Sequence, residues 1–296
     1  MRIVSLHPAA TEIVFALGLG EELVGVTAYC DAPREARGVA VVARYPTTPD
    51  ASAPPGPALL ELDRDALDEA DPDLVILSDS CRVCTVGARE VRAIADEIDE
   101  EVEVLSLDPV SVEGVFNAIQ TVGAMTEAED AAMDAVVGLR ERLRAIEAIV
   151  VARRDHGFAA PRIAALEWLD PPMAAGRWIP EQVRLAGGWE LLGHERAMPS
   201  ATSWAALREV DPEIIVLMPA GLDLPATVAA WDALPRPDGW SDLHAVREGR
   251  VFAVDGAAYF WRPGPRIVDG IEVLAEIVDP KAFDGLAPND SFVRVG

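Results

Sequence analysis

Two phrases recur in the same order on either side of one long helical segment. Arg162-Ile-Ala-Ala-Leu166 repeats the pattern of Arg2-Ile-Val-Ser-Leu6, and residues 210–217 repeat that of residues 70–77, each with Asp-Pro before an apolar run. Between the two copies, residues 127–154 are rich in alanine, leucine and charge and contain no proline, which predicts a single helix. The sequence therefore predicts two similar α/β lobes joined by one long helix.

Strand-like and helix-like segments alternate in the first half of the chain, which is typical of βα units with a parallel sheet. The predicted strands are Arg2–Leu6, Leu23–Thr27, Leu74–Leu77 and Val102–Leu105. The predicted helices are Pro8–Leu17, a helix capped by Asp63 that reaches Ala70, Ala88–Ile98, and a helix capped by Ser111 that reaches Ala124. Residues 31–57 are rich in Pro, Ala and Gly and are predicted to form a long loop, a length often associated with function.

Length and pattern divide the chain into three parts. With 296 residues, half of them hydrophobic, it is long enough for two lobes with substantial cores. We predict an amino-terminal lobe over residues 1–126, the linking helix over 127–155 and a carboxyl-terminal lobe over 156–296. The net charge of -25 argues against nucleic-acid binding, which needs a basic surface, and against anionic membranes.

The first residues do not have the pattern of a secretory signal, because the apolar run Ile3–Leu6 is broken at once by His7-Pro8. No stretch of the sequence has the length and hydrophobicity of a membrane span, so we expect no membrane insertion. For the chain as numbered we expect a cytoplasmic location, and a periplasmic or extracellular one if a leader was trimmed.

Several phrases resemble one family. Arg2 to Gly18 resembles the opening of class III substrate-binding proteins of ABC transporters, which serve vitamin B12, ferric siderophores and haem. The similarity continues through Asp71–Ile76, Leu185–Gly188, Trp240 with Ala245–Val251, Arg262–Arg266, and Asp269 with Gly270. It covers nearly the whole chain, and within the family the cobalamin-binding branch is the most similar.

The resemblance implies two Rossmann-like lobes with a large ligand in a cleft between them, and a single helical connection that limits hinge motion. It implies a binding protein for a corrinoid such as cobalamin, or for a related metal-bearing macrocycle or iron complex, with an ABC permease as partner. We expect a monomer and no enzymatic activity, since the sequence has no G-x-S-x-G, H-E-x-x-H or Walker motif.

The three cysteines are a departure from that family. Cys30 follows the second predicted strand, and Cys81 and Cys84 follow the third, where open α/β sheets bind ligands. Three thiolates with one further ligand suit zinc, and three with an open iron suit an iron–sulfur cluster. A redox pair of Cys81 and Cys84, or burial of the cysteines as small apolar residues, remains an alternative.

Other candidate ligand residues lie after the first two strands. His7 is a candidate metal ligand or hydrogen-bond donor, in a loop where Pro8 starts the next helix. Tyr29 and Asp31 flank Cys30 and are candidates through that position. These residues would line the cleft from the first lobe.

The second lobe contributes aromatic candidates. Trp168, Trp178 and Trp261 follow strands or precede helices, and we expect their indole faces to be exposed in the cleft. Beside Arg262, such faces suit a planar macrocycle with amide or carboxylate side chains. The other four tryptophans are interpreted as core residues, namely Trp189, Trp204, Trp231 and Trp240.

The leading hypothesis is therefore a corrinoid-binding or iron-complex-binding protein that does not convert its ligand. The alternative is an intracellular metal or iron–sulfur protein that uses Cys30, Cys81 and Cys84 on the same scaffold. A thiol oxidoreductase is a third possibility, with the weakest support from the surrounding sequence.

Overall fold

The computed structural model describes residues 1–44, 60–78, 88–98 and 101–295. The chain divides into two compact units. Unit 1 comprises Met1–Pro109 and Glu113–Val137, and unit 2 comprises Val110–Val112 and Gly138–Gly296. Within the described ranges, no helix has both the length and the apolar character needed to cross a membrane. The predicted domain boundaries stay a prediction.

Unit 1 is built on a sheet with the strand order β4-β3-β2-β1-β5-β6, counting the described residues. All neighbouring strands are parallel except β3 and β4. The strands are β1 (Ile3–Ser5), β2 (Leu23–Thr27), β3 (Val41–Arg44), β4 (Glu61–Leu62), β5 (Leu74–Leu77) and β6 (Glu103–Ser106). The helices are α1 (Pro8–Ala16), α2 (Arg64–Ala70), α3 (Ala88–Ile98) and α4 (Val112–Met125), with 3-10 turns at Gly20–Glu22 and Arg34–Gly38.

After the long helix α5 (Glu129–Asp155), unit 2 has its own sheet in the order β10-β8-β7-β11-β12-β13, with β9 paired to β7. The pairs β7–β11, β11–β12 and β7–β9 are parallel, and the others are antiparallel. The strands are β7 (Arg162–Leu169), β8 (Pro172–Ala174), β9 (Trp189–Glu190), β10 (Ser200–Ala201), β11 (Ile214–Leu217), β12 (Val251–Val254) and β13 (Phe292–Arg294). The helices are α6 (Ile179–Leu185), α7 (Trp204–Val210), α8 (Leu224–Ala233), α9 (His244–Arg247), α10 (Gly256–Tyr259) and α11 (Ile267–Val278), with a 3-10 turn at Trp240–Asp242.

The predicted α/β fold with two parallel-sheet lobes is confirmed, and one predicted loop is wrong. Residues 31–57 contain the strand β3, which pairs in parallel with β2. Val42 in β3 is fully buried among the side chains that cover the sheet. The prolines and glycines on either side hid this short apolar run, because periodicity over four residues is a weak signal.

The repeated phrases form the same local structure in each unit. In unit 1, the Arg2 N–H donates to Asp73 Oδ2 at 2.6 Å, and the Asp73 N–H donates back to the Arg2 carbonyl at 2.9 Å. In unit 2, Arg162 N–H donates to Glu213 Oε2 at 2.9 Å, and Glu213 N–H donates to the Arg162 carbonyl at 2.8 Å. The carboxylate therefore fixes the start of the first strand in both units.

The preceding Asp-Pro pair ends a helix in each copy. Asp71 ends α2 and Asp211 ends α7, both with left-handed backbone angles, at φ 45° and 40°. Aspartate tolerates this conformation better than most residues, and proline then prevents the helix from continuing. The structural match supports the interpretation of the two phrases as one repeated unit.

Helix α5 is attached to the rest of unit 2 by ion pairs. Arg142 binds Glu272 through two nitrogens, at 2.9 and 2.6 Å, and also pairs with Asp269. In the last turn of α5, Arg153 Nε lies 2.6 Å from Asp279 Oδ2. Because Glu272 and Asp279 are buried, these arginines neutralise carboxylates that would otherwise be costly to bury.

The core of unit 2 includes a cluster of three indoles. Trp231 is fully buried, and its ring centroid lies 4.8 Å from Trp240 and 6.3 Å from Trp204. The prediction that Trp231 and Trp240 are core residues is confirmed, and Trp204 is partly buried against the same cluster. For Trp189 it is wrong, since this side chain is 63% exposed on the short strand β9.

Candidate functional site

The strand order of each unit defines one topological switch point. In unit 1 the chain passes from β1 to β2 and β3 on one side and returns to β5 on the other. In unit 2 the corresponding reversal lies between β7 and β11. Open α/β sheets bind ligands at the carboxyl ends of the strands beside such a reversal. His7 and Glu167 lie at these positions, in the first strand of each unit or directly after it.

A chain of buried hydroxyls connects Cys30 with the His7 loop in unit 1. The Thr11 hydroxyl lies 2.8 Å from Ser5 Oγ and 3.0 Å from Cys30 Sγ. Thr27 Oγ1 lies 3.4 Å from the same sulfur, and Ser5 Oγ donates to the His7 carbonyl at 2.9 Å. Cys30 is a buried thiol that belongs to this network and not only to an apolar core.

His7 is held in one tautomer by its position at the start of α1. Its Nδ1 accepts the N–H of Ala9 at 3.3 Å, so the ring acts as the cap of the helix. A neutral ring that accepts through Nδ1 carries its proton on Nε2. Of the two predicted roles, this arrangement favours hydrogen-bond donor over metal ligand. Pro8 occupies the first turn of the same helix, where proline needs no N–H partner.

The residues next to Cys30 border a small cavity. Tyr29 is half-buried, and desolvation raises the pKa of its phenol. Asp31 is exposed and, with Cys30 and Arg37, contributes polar groups to a cavity of about 250 Å³. Sites for drug-sized molecules begin at about 300 Å³. This cavity is therefore too small to hold a macrocycle.

The predicted three-cysteine site remains untested, because Cys81 and Cys84 lie outside the described residues. In the part of the chain that the structure describes, no group of three or more His, Cys, Asp or Glu side chains is arranged to hold a metal ion. The strand β1 lies between β2 and β5, so the ends of these two strands lie about 10 Å apart. A zinc or iron–sulfur site stays a prediction.

Glu167 is a buried carboxylate in unit 2 that the sequence analysis missed. The residue is 8% exposed, and its Oε2 accepts the N–H of Gly176 at 3.1 Å. Desolvation raises the pKa of this carboxyl to about 7, against the opposing effects of the nearby Arg177 guanidinium and the Gly176 N–H. The repeated phrase gives a signal that identifies it, because Glu167 follows Leu166 as His7 follows Leu6.

The segment after β8 connects Glu167 to two predicted ligand residues. Gly176 has no room for a side chain, and Arg177 adopts a left-handed backbone with φ 54°. The Arg177 guanidinium lies 5.7 Å from the ring centroid of Trp178, within the range of cation–π attraction. The Trp178 indole N–H donates to the Phe260 carbonyl at 2.9 Å. The segment is thereby fixed beside the loop that carries Trp261 and Arg262.

The expected exposure of the three indoles is wrong. Trp168 is 6% exposed, Trp178 3% and Trp261 9%. The Trp168 N–H donates to the Asp170 carbonyl at 3.1 Å, and the Trp261 ring packs over Gly221, where a β-carbon would lie only 3.3 Å from it. A buried indole N–H requires an acceptor. The N–H groups of Trp168 and Trp178 donate to backbone carbonyls, and the Trp261 ring is tightly packed within unit 2. Their role in ligand binding stays a prediction.

Arg262 is buried in a cluster of charged groups after β12. Asp255 caps α10 by accepting the Ala258 N–H at 2.7 Å. Burial raises the pKa of Asp255, while Arg266 and Arg262 act to lower it. Arg266 also lies 5.9 Å from the Tyr259 ring centroid, and burial followed by the charge of Asp255 raises the pKa of the Tyr259 phenol. The two arginines therefore belong to a polar cluster that follows the carboxyl end of β12 in unit 2.

Glu190 is a second carboxylate in unit 2 with a raised pKa. Its oxygens accept the N–H groups of Ala165, Leu192 and Gly193, each at 3.0 Å. Burial nevertheless raises its pKa to about 7, because desolvation outweighs these three bonds. Glu167 is buried and Glu190 is half-buried, and the raised pKa of each carboxyl means that the folded state loses stability as the pH rises, which is opposite to the effect of a carboxylate with a lowered pKa.

We expect the Glu190→Gln variant to gain stability relative to wild type as the pH rises from 5 to 8. A carboxyl whose folded pKa is about 7 and whose unfolded pKa is 4.5 stabilises the fold below the lower value and loses that contribution as pH rises through the upper one. The relative gain should be about 2 kcal/mol, measured from urea unfolding at both pH values. If the substitution changed the free energy of unfolding equally at pH 5 and pH 8, the raised pKa of Glu190 would be contradicted.

Together, these features define a two-lobed α/β ligand-binding protein whose polar side chains gather at the carboxyl ends of two similar sheets. The chain belongs to the periplasmic binding protein family, whose model matches residues 3–258. It is a substrate-binding protein of the ABC-transporter type, as the sequence resemblance predicted. The relatives are solute-binding proteins.

The sequence relatives span nearly the whole chain. The uncharacterized ABC transporter substrate-binding lipoprotein YvrC of Bacillus subtilis is 27% identical and covers 95% of this chain and 81% of its own length. The vitamin B12-binding protein of Vibrio cholerae is 23% identical, over 92% of this chain and 86% of that protein.

Solved structures support the fold. The periplasmic vitamin B12 binding protein of Vibrio cholerae matches with a TM-score of 0.70 and 20% identity, over 96% of this chain and 98% of that one. A periplasmic heme binding protein from Pseudomonas aeruginosa matches with a TM-score of 0.73 and 22% identity, over 95% and 93%. At these identities the likeness concerns the fold and leaves the ligand open.

Proposed function

We propose that this protein binds a corrinoid, with cobalamin as the representative ligand, and delivers it unchanged to an ABC permease. The observation that carries the proposal is the match to vitamin B12-binding proteins, whose similarity extends over 92% of the chain. We place the protein on the outer side of the cytoplasmic membrane, supported by relatives named as lipoproteins or periplasmic proteins. This is the second of the two locations expected from the sequence, the periplasmic or extracellular one.

The polar groups of both units support a ligand with many amide acceptors. The His7 ring accepts the Ala9 N–H through Nδ1, and a neutral ring bound in this way has its donor at Nε2, where we expect it to bind a carbonyl oxygen of the ligand. In unit 2 the half-buried Arg177 and the buried Arg262 carry guanidinium groups, a type of donor that suits amide carbonyls and phosphate. The three candidate tryptophans in the same unit are buried, and we expect them to support these polar groups, which would fix the orientation of the ligand.

Calorimetric titration of the purified protein with cyanocobalamin, haemin and a ferric hydroxamate siderophore tests the proposal. We expect cyanocobalamin to bind with a Kd of about 1 μM or tighter, and the other two at least about tenfold more weakly. Tighter binding of haemin or the siderophore would contradict the corrinoid assignment while leaving the family unchanged. Sedimentation of the same samples tests the expected monomer.

A second preparation distinguishes corrinoid binding from the alternative of a metal or iron–sulfur site on the cysteines. We expect Cys81→Ser with Cys84→Ser to leave cyanocobalamin affinity within about twofold of wild type. Anaerobic purification, followed by absorption spectroscopy and metal analysis, identifies any iron with sulfide, or zinc. Metal that is bound by wild type, lost in the double variant and accompanied by no corrinoid binding would favour the intracellular metal protein instead.

A further inference from the structure

Glu167 lies where the second unit is expected to meet its ligand, but its carboxylate is buried. It is at the carboxyl end of β7, beside the topological switch between β7 and β11. Its own carbonyl accepts the N–H of Ala220 at 2.9 Å, in the loop that follows β11. A buried ionisable group at such a position is costly and needs a reason.

The side chain of Glu167 binds a segment with a strained backbone. The carboxylate accepts the Gly176 N–H, and the next residue, Arg177, has a left-handed backbone that is unfavourable for a residue other than glycine. The Arg177 N–H donates to the Ala197 carbonyl, and Arg196 N–H donates to the Arg177 carbonyl. The segment is therefore held on one side by the 196–197 backbone and on the other by Glu167.

A nearby arginine acts on the charge of Glu167. Among the residues that the structure describes, the Arg177 guanidinium is the charged group that lowers the pKa of this carboxyl. The neighbouring strands β8 and β11 contribute only apolar side chains and proline. Ionised Glu167 thus attracts the arginine of the segment that it also binds through the Gly176 N–H.

We propose that Glu167 is the positioning residue of unit 2, and that its ionised carboxylate holds Gly176, Arg177 and Trp178 in the conformation that receives the ligand. The proposal rests on the proposed function for the identity of that ligand. Glu167 acts through the segment and need not contact the ligand. Hydrogen bonds to an ionised acceptor are about twice as strong as neutral ones, so protonation loosens this hold.

The test measures cyanocobalamin affinity of the full chain at pH 8 and pH 5.5 in wild type and in Glu167→Gln. We expect wild type to bind about tenfold more weakly at pH 5.5, because Glu167 is then protonated. The Glu167→Gln variant keeps an acceptor oxygen but no charge, so its affinity should be low and equal at both values. Wild-type affinity at pH 8 in the variant, or an unchanged pH dependence, would overturn the proposal.

Glu190→Gln is the matched control, because it removes a carboxyl of unit 2 whose pKa is likewise raised to about 7 but which binds other backbone groups. It should keep the pH dependence of affinity. If Glu190→Gln abolishes that dependence as Glu167→Gln does, general titration of unit 2 explains the effect and the proposal fails.

Measurements without ligand test the positioning role of Glu167 separately from the proposed binding of a corrinoid. In wild type, the amide resonance of Gly176 should shift with a midpoint near pH 7 and lose hydrogen-exchange protection on acidification, together with the Trp178 indole N–H. In Glu167→Gln both signals should be independent of pH. If wild type binds no corrinoid, the proposed function fails. If hydrogen-exchange protection of Gly176 and Trp178 in Glu167→Gln is the same as in wild type, the positioning role of Glu167 fails, whatever the ligand.

Discussion

Replacing Trp231 with alanine should lower the free energy of unfolding by about 4 kcal/mol, the range found for large aromatic side chains removed from cores. The side chain is fully buried, contacts two other indoles and donates its N–H to the Val295 carbonyl at 3.1 Å. The guanidinium of Arg236 lies 4.0 Å from its ring centroid. The substitution therefore opens a cavity, breaks a hydrogen bond and releases the end of strand β13.

Urea unfolding followed by circular dichroism measures this effect, and Trp189→Ala is the control. Trp189 is the same residue type but 63% exposed, so its loss should change stability by less than about 0.5 kcal/mol. Trp231→Phe should lie between the two, since it restores part of the buried ring. Similar stability of Trp231→Ala and Trp189→Ala would contradict the buried cluster.

Gly176→Ala should destabilise the protein by about 3 kcal/mol, near the upper end for overpacking. A β-carbon at this position would lie 2.5 Å from Pro199 N, 2.6 Å from the Ala197 carbonyl oxygen and 2.7 Å from Met198 C. These are backbone atoms, which cannot rotate away as a flexible side chain can. The segment must move, and the bond from the Gly176 N–H to Glu167 stretches with it.

Gly138→Ala is the control for that substitution, because nothing lies within 4 Å of the β-carbon position. Gly138 is in the interior of α5, where alanine is favoured over glycine by about 1 kcal/mol, so this variant should gain stability. Chemical unfolding of both variants tests whether the free energy of unfolding falls for Gly176→Ala and rises for Gly138→Ala. A stable Gly176→Ala variant would show that the segment has more freedom than its packing indicates.

The order of strands and helices could be predicted from the sequence because the patterns that indicate it are local and occur in both halves of the chain. The Asp-Pro phrases before β5 and β11 predicted helix ends and buried strands, and both copies form the same carboxylate bond to the first strand. The capping residue Asp63 was equally predictive, since its side chain accepts the Ala66 N–H in the first turn of α2. Short-range chemistry determines such features without knowledge of the tertiary fold.

The site was less predictable because burial depends on contacts distant in sequence. The exposure of Trp168, Trp178 and Trp261 was predicted from their places after strands and before helices, but acceptors such as the Phe260 carbonyl come from other elements. Glu167 was overlooked because carboxylates are abundant in so acidic a chain. Its importance lies in its burial and in its contact with Gly176, neither of which has a local sequence signal.

The bond between the Arg2 amide and Asp73 has a practical consequence for tethering this protein. It fixes the amino-terminal end of β1, while His7 follows the carboxyl-terminal end of the same strand. A lipid, tag or solid support joined ahead of residue 1 would therefore attach about 17 Å or more from His7 along the strand direction, at the opposite ends of the strands. Immobilisation through that end should leave the loops free for ligand capture.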